Sequence, residues 1–281
     1  MASSNSEQDL RRTRVGGILR RLREQTGKTL EVASEEAGIK IDRLSRLERG
    51  VVRIDVPVVR ALLDVYGVQD RQVRAALEEM VRSLTSPTWW QSYNRSLHIA
   101  LKNYLGLEET ASSVWAWQPL LIPGRLQVEE YSRALLHAGV GIVHDGPEQA
   151  EALVRVRQER QHRVTTPLTV VIGEAALRNP VGDPKVMRAQ IRHLLIQDPA
   201  VTTVLVLPAE RGAHVGLDSA FSVLDFPDGA RVATVETLVT TLYLDDETSL
   251  DAYAKAMVQI TDLALDPSAT RTFLEQLVRA D

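Results

Sequence analysis

The chain has 281 residues, no cysteine, 44% hydrophobic residues and a formal net charge of −4. These values exclude a disulfide scaffold or thiolate metal site and leave room for two domains of ordinary size. No apolar run approaches the roughly twenty residues of a membrane span, and the opening MASSNSEQDLRRTR has no apolar signal core. The acidity is uneven: residues 1–54 hold 12 Lys+Arg against 8 Asp+Glu, and residues 55–281 hold 21 against 29. A basic N-terminal region on an acidic protein is enough for salt-dependent binding to phosphates. Residues 1–14 read as a disordered basic arm, in which Arg11, Arg12 and Arg14 either follow a nucleic-acid backbone or are simply solvated.

Thr29 to Gly50, TLEVASEEAGIKIDRLSRLERG, reads as two short helices joined at a glycine. Thr29 can cap the first, and Ala33, Ser34 and Ala37 keep one face small enough for another helix to approach. Gly38 supplies the turn, where a positive φ costs glycine little. Ile39, Leu44 and Leu47 then recur at helical spacing, which leaves Lys40, Ile41, Asp42, Arg43, Ser45, Arg46 and Arg49 outside. That is the pattern of a DNA-reading helix-turn-helix whose 40–49 helix enters the major groove. Arg43 and Arg46 are the candidates for gripping guanine, Ile41 for a thymine methyl and Asp42 for a cytosine amine. Lys40, Arg49 and Arg53 are the candidates for phosphate. The expected partner is double-stranded DNA, bound by a homodimer because one recognition helix reads too few base pairs, and the expected location is the cytoplasm, at the nucleoid.

Gly27, Thr29, Gly38 and the ending Ser45-Arg46-Leu47-Glu48-Arg49-Gly50 resemble the Cro/phage-repressor (XRE-type) helix-turn-helix, over about residues 15–68. The resemblance implies an ion pair between Glu48 and an arginine of the preceding helix, in register at Arg23. The chain departs from that pattern at Leu30, where a glutamine often touches phosphate, and at Lys40, where serine or threonine often caps the recognition helix.

Further along, Pro57 to Tyr66 has apolar residues at helical spacing and stops at Gly67; it is expected to close the bundle. Asp70 to Leu84 reads as an amphipathic connecting helix broken by Thr85-Ser86-Pro87-Thr88. The boundary is therefore placed there, giving a DNA-binding domain over 15–84 and a second domain over 85–281. All four tryptophans, Trp89, Trp90, Trp115 and Trp117, follow within about thirty residues; they form either an aromatic wall for a small ligand or the filling of the seam between domains. A helix is expected over Leu126–Ala138. Strands are expected over Leu168–Ile172, Thr202–Leu207, Phe221–Phe226, Arg231–Val235 and Thr240–Leu244, and helices over Pro147–His162, Pro184–Ile196, Leu250–Leu265 and Ser268–Arg279. The fold class is thus multidomain: an all-α helix-turn-helix bundle and a larger mixed α/β (α+β) domain, with Pro227-Asp228-Gly229 turning a hairpin.

The strings WAWQPLLIPGRLQVEEYSRALL, RVRQERQ, VIGEAALRNPVG and VLVLPAERGAHVGLDSAFSVLDF resemble the C-terminal domain of actinobacterial WhiJ-type developmental regulators. The resemblance implies a transcriptional regulator in an antitoxin-like arrangement, with a small partner protein encoded nearby. Arg125 stands where that family usually has leucine, which is expected to expose the turn.

Chemistry is sparse. Arg155, Arg157, Arg160 and Arg163, with Gln158 and Gln161, could hold an anion, but their spacing spreads them around a helix rather than forming one cradle, and a solvated surface is expected. The six histidines lack HxxxH or HExxH spacing, so no metal ligand is assigned. Glu174 after a strand is read as a helix-starting acid. No catalytic residue and no cofactor is assigned, and the chain is expected not to be an enzyme. The leading expectation is a sequence-specific transcriptional regulator whose second domain responds to a small-molecule effector or a small partner protein. The alternatives are a DNA-tethered enzyme acting on a small molecule and an antitoxin-like interaction module.

Overall fold

A computed structural model describes residues 10–86 and 88–280, and the chain divides into two compact units. The first nine residues of the expected arm lie outside the described residues. Its remainder does not form an arm: Leu10–Gln25 is a continuous helix, α1. The reason is local, since Val15, Ile18 and Leu19 bury one stripe of α1 and Arg11, Arg12 and Arg14 ride on the same rod.

The first unit contains α1, α2 (Leu30–Glu36), α3 (Ile41–Glu48), α4 (Val56–Val65), α5 (Arg71–Thr85) and α6 (Ile99–Thr110). Its core joins Val15, Ile18 and Leu19 to Leu44, Leu47, Ile54, Val59, Leu62, Leu63, Leu77 and Val81. Asp70 caps α5 by accepting from the Gln72 and Val73 amides at 2.7 and 3.3 Å. Two ion pairs tie α4 to α5, Arg60 to Glu78 at 2.7 Å and Arg74 to Asp64 at 2.6 Å; both have an exposed partner and contribute little individually.

The unit boundary differs from the expected one. Residues up to Ser92 and His98–Thr110 cluster with the helix-turn-helix, so the unit extends well past residue 84. The cause is α6, which packs on α1: Asn103 Oδ1 accepts from the Leu10 amide at 3.4 Å, and Gly106 lies against the Arg11 stem. No helix is expected there from periodicity, because its buried positions include polar Asn103 and Glu108 among the apolar ones.

The second unit is built on a six-stranded sheet in the order β3-β2-β1-β4-β5-β6: β1 (Ser113–Gln118), β2 (Leu168–Gly173), β3 (Thr202–Leu207), β4 (Phe221–Asp225), β5 (Arg231–Glu236) and β6 (Thr241–Leu244). β1, β2 and β3 run parallel, and β4, β5 and β6 continue antiparallel on the other side of β1. α7 (Glu129–Ala138) and α8 (Pro147–Arg163) lie between β1 and β2 in the chain, α9 (Glu174–Arg178) and α10 (Pro184–Leu195) between β2 and β3, and α11 (Glu247–Leu263) and α12 (Pro267–Ala280) follow β6. Parallel neighbours require such crossovers.

β1 is the central strand, aligned from Val114 opposite Leu168 on one side to Trp117 opposite Phe221 on the other. Trp115 and Trp117 join Val171, Leu205, Phe221, Val223 and Val235 in a core under α11. The alternate residues Val114, Ala116, Val170 and Ile172 are also buried, so both faces are covered, as parallel strands require. One sheet edge is sealed: Thr270 Oγ1 accepts from the Val206 amide at 3.1 Å, and Val206 O accepts from Leu265 N at 2.8 Å. The expected Leu126 helix starts later, after a single 3₁₀ turn over Gly124–Leu126.

The tryptophans are divided between the two units. Trp89 and Trp90 meet edge to face at 5.3 Å in the first unit, while Trp115 and Trp117 are core residues of the second, where the Trp117 indole donates to Gly216 O at 2.7 Å.

Candidate nucleic-acid interface

Thr29 caps α2, its Oγ1 accepting from the Val32 amide at 3.3 Å. The helix ends through Ala37 at Gly38, whose φ is +65°, and Ile39 N reaches back to Ser34 O at 2.9 Å. This glycine-terminated closure turns the chain sharply into α3. Ala33 is fully buried beside Leu44 and Leu47, so the small face of α2 does admit α3 closely.

α3 spans Ile41–Glu48, so Lys40 and Arg49 are its flanking caps rather than members. Lys40 makes no side-chain capping bond, as its lack of an acceptor dictates. Leu44, Leu47 and Glu48 are buried, while Lys40, Ile41, Asp42, Arg43, Arg46 and Arg49 are exposed and Ser45 is half-buried. Arg49 donates to Ser45 O at 3.3 Å and Arg53 pairs with Asp55 at 3.0 Å. Among the described residues, no hydrogen bond or ion pair engages the side chain of Arg43 or Arg46. α3 therefore presents a cationic outer face on an apolar inner one.

Beneath that face Arg23 and Glu48 form a two-pronged ion pair, Nε to Oε1 at 2.8 Å and Nη2 to Oε2 at 2.9 Å, with side chains only 9% and 4% exposed. Arg23 Nη1 also donates to Lys28 O at 2.8 Å, so the fork clamps α1, the following loop and α3 together. The hydrogen bonds that Arg23 donates to Glu48 raise the guanidinium above its ordinary value. Fork-to-carboxylate geometry with both charges buried is the arrangement in which such a pair fixes an orientation. Gly16 makes the approach possible: a Cβ there would lie 2.6 Å from Glu48 O.

Tyr66 completes the layer. Burial of its phenol, then the Glu48 charge, raises its pKa above the ordinary 10. As pH climbs past 10 the unfolded chain ionises Tyr66 while the folded one retains the proton, so folding binds more protons and stability falls with rising pH. The wild type should lose melting temperature between pH 9 and 11 more steeply than Tyr66→Phe; parallel slopes would contradict the assignment.

In the second unit two expectations change. Arg125 is 6% exposed and donates to Val164 O at 3.1 Å, because its long stem buries where leucine would and its head meets a carbonyl. Arg157 is not on a solvated face: its Nη1 donates to Oε1 of buried Gln127 at 2.6 Å. Glu174 accepts from Ala209 N at 2.9 Å and pairs with Arg178; these contacts hold its carboxyl below the usual range. His214 accepts from Gly216 N and stacks edge-on against Trp117.

Residues 14–77 match the family described as a helix-turn-helix domain, and residues 101–276 match one described as a domain of unknown function. No curated protein and no solved structure matches the chain. No described helix is long and apolar enough to cross a membrane.

Proposed function

We propose that this chain, which belongs to the DUF5753 family and carries a helix-turn-helix domain ahead of it, is a sequence-specific transcriptional regulator. The carrying observation is α3 itself, with Arg43 and Arg46 exposed and uncommitted on a helix anchored from below by Arg23–Glu48. The XRE-type likeness and the basic N-terminal region support the same reading. A homodimer on two half-sites about one helical turn apart follows from the short reach of one such helix. The WhiJ-type likeness supports a second unit that responds to a small ligand or a small partner protein. We read that unit as a sensor rather than a catalyst, because the carboxylate of Glu174, which directly follows β2, is occupied by Ala209 and Arg178.

The test is selection of bound sites from a random duplex library, followed by anisotropy titration. Arg46→Ala should cost about 1–3 kcal/mol on the selected site and relax preference at one position. Lys40→Ala should weaken all sequences alike. Unchanged preference in Arg43→Ala and Arg46→Ala together would overturn the assignment of α3 as the reading helix.

A further inference from the structure

We infer that the second unit binds a small neutral ligand carrying a lactam-type amide, in the groove between α10 and α12 where β3 turns the N–H and C=O of Val204 outward.

The backbone of β3 creates this site. Its pairing with β2 is unbroken from Leu168 opposite Thr202 to Gly173 opposite Leu207, so successive residues of β3 aim their peptide groups alternately at β2 and away from it. Val201 O accepts from Leu168 N at 2.9 Å, which puts Val201, Thr203 and Leu205 on the β2 side. Thr202, Val204 and Val206 therefore face the edge. Two of these three are engaged there: Thr202 N donates to Asp198 O at 2.8 Å, and Val206 is bonded to Thr270 Oγ1 and Leu265 N. Among the described residues no hydrogen bond engages the outward N–H or C=O of Val204.

Val204 lines a groove of about 680 Å³, its open mouth included, walled by Leu194 and Leu195 of α10 and Leu274 of α12. That size suits a small ligand, and so does an apolar lining with one placed polar pair. A strand from another protein needs a run of open residues, whereas here a single one lies between two that are engaged. Of the lining residues only Arg271 is ionised, and it is held by Leu195 O at 3.4 Å and by Glu275 at 3.5 Å. Gln197 rests its amide on His193 O at 2.9 Å, and burial lowers the His193 pKa, so the imidazole is neutral at neutral pH. The occupant that fits is therefore uncharged. An extended residue points its N–H and C=O to the same side, so its match is a carbonyl and an N–H held cis to each other, as in a lactam.

The site rests on the reading of the second unit as ligand-responsive, and the experiment separates the two. The isotopically labelled full chain is titrated with oxindole, a bicyclic lactam, and followed through its amide resonances. Saturable shifts are expected at Val204, Leu195 and Leu274 at millimolar probe. N-methyloxindole, which leaves the Val204 carbonyl unpaired, should bind about tenfold more weakly. Val204→Pro removes the outward donor but no bond to β2, so its melting temperature should fall far less than that of Thr203→Pro, while its oxindole affinity drops about tenfold. Leu195→Trp, which fills the groove from α10, should abolish the shifts. Absence of saturable shifts overturns the site, as does equal affinity for the two probes, which would mean apolar contact alone. Equal destabilisation by Val204→Pro and Thr203→Pro overturns it too, by showing that the Val204 amide faces β2. Oxindole bound in the groove without altering operator affinity would sink the ligand-response reading and leave the site standing.

Discussion

Arg23→Met is expected to destabilise the first unit by about 3–5 kcal/mol, because it strands the Glu48 carboxylate in a buried position. Both side chains are almost fully enclosed, and the replacement also removes the donor to Lys28 O. Urea unfolding followed by far-ultraviolet circular dichroism would read the loss as a lowered midpoint. The double variant Arg23→Met with Glu48→Leu should recover much of it, since two apolar groups in that space need no compensation. A double variant as unstable as the single one would mean that α1 and α3 depend on the ion pair for their orientation. The pair would then matter for fixing α3 as well as for stability. An unchanged midpoint in the single variant would remove the pair from the account altogether.

Gly50→Ala is the second large effect, expected at about 2–4 kcal/mol. Gly50 has φ +68°, and a Cβ there would lie 2.5 Å from Thr13 N and 2.9 Å from Arg12 C. The cost combines a left-handed backbone with a clash against the backbone of α1, which cannot give way as a flexible side chain can. Gly38→Ala separates the two contributions. It has φ +65° with nothing within 4 Å of the added methyl, so only the conformational penalty of about 1–2 kcal/mol applies. Equal losses at the two positions would show that α1 yields to the methyl group.

The helix-turn-helix was legible because its signals are local: a capping threonine, a turn glycine and an apolar stripe fall within twenty-two residues. Five of the six strands were legible for the same reason, through β-branched runs bounded by breakers. The missing strand is β1, the central one. SVWAWQ is buried on both faces, so it has no polar alternation, and its tryptophans read as an aromatic cluster rather than as alternate core residues. Arg125 was expected outside because it replaces the family's leucine, and Arg157 because its spacing spreads the arginines around a helix; the partners that hold them, Val164 and Gln127, lie far off in sequence. The positions of Arg43 and Arg46 followed from spacing within α3, whereas the depth of Arg23 and Glu48 needed either the family resemblance or the three-dimensional arrangement.

The position of β1 has a consequence for the order in which the protein is made. β1 pairs with β2 some fifty residues later and with β4 more than a hundred residues later, at Phe221–Asp225. Contacts of such long range close slowly. The first unit, by contrast, contains no residue beyond Thr110, and domains fold from the N-terminal side as the chain is synthesised. A nascent chain therefore completes its DNA-reading end while the strands that must flank β1 have yet to be translated. Until Asp225 has emerged, the tryptophans of β1 lack their antiparallel neighbour, and that interval is when chaperone capture or aggregation would act on this protein.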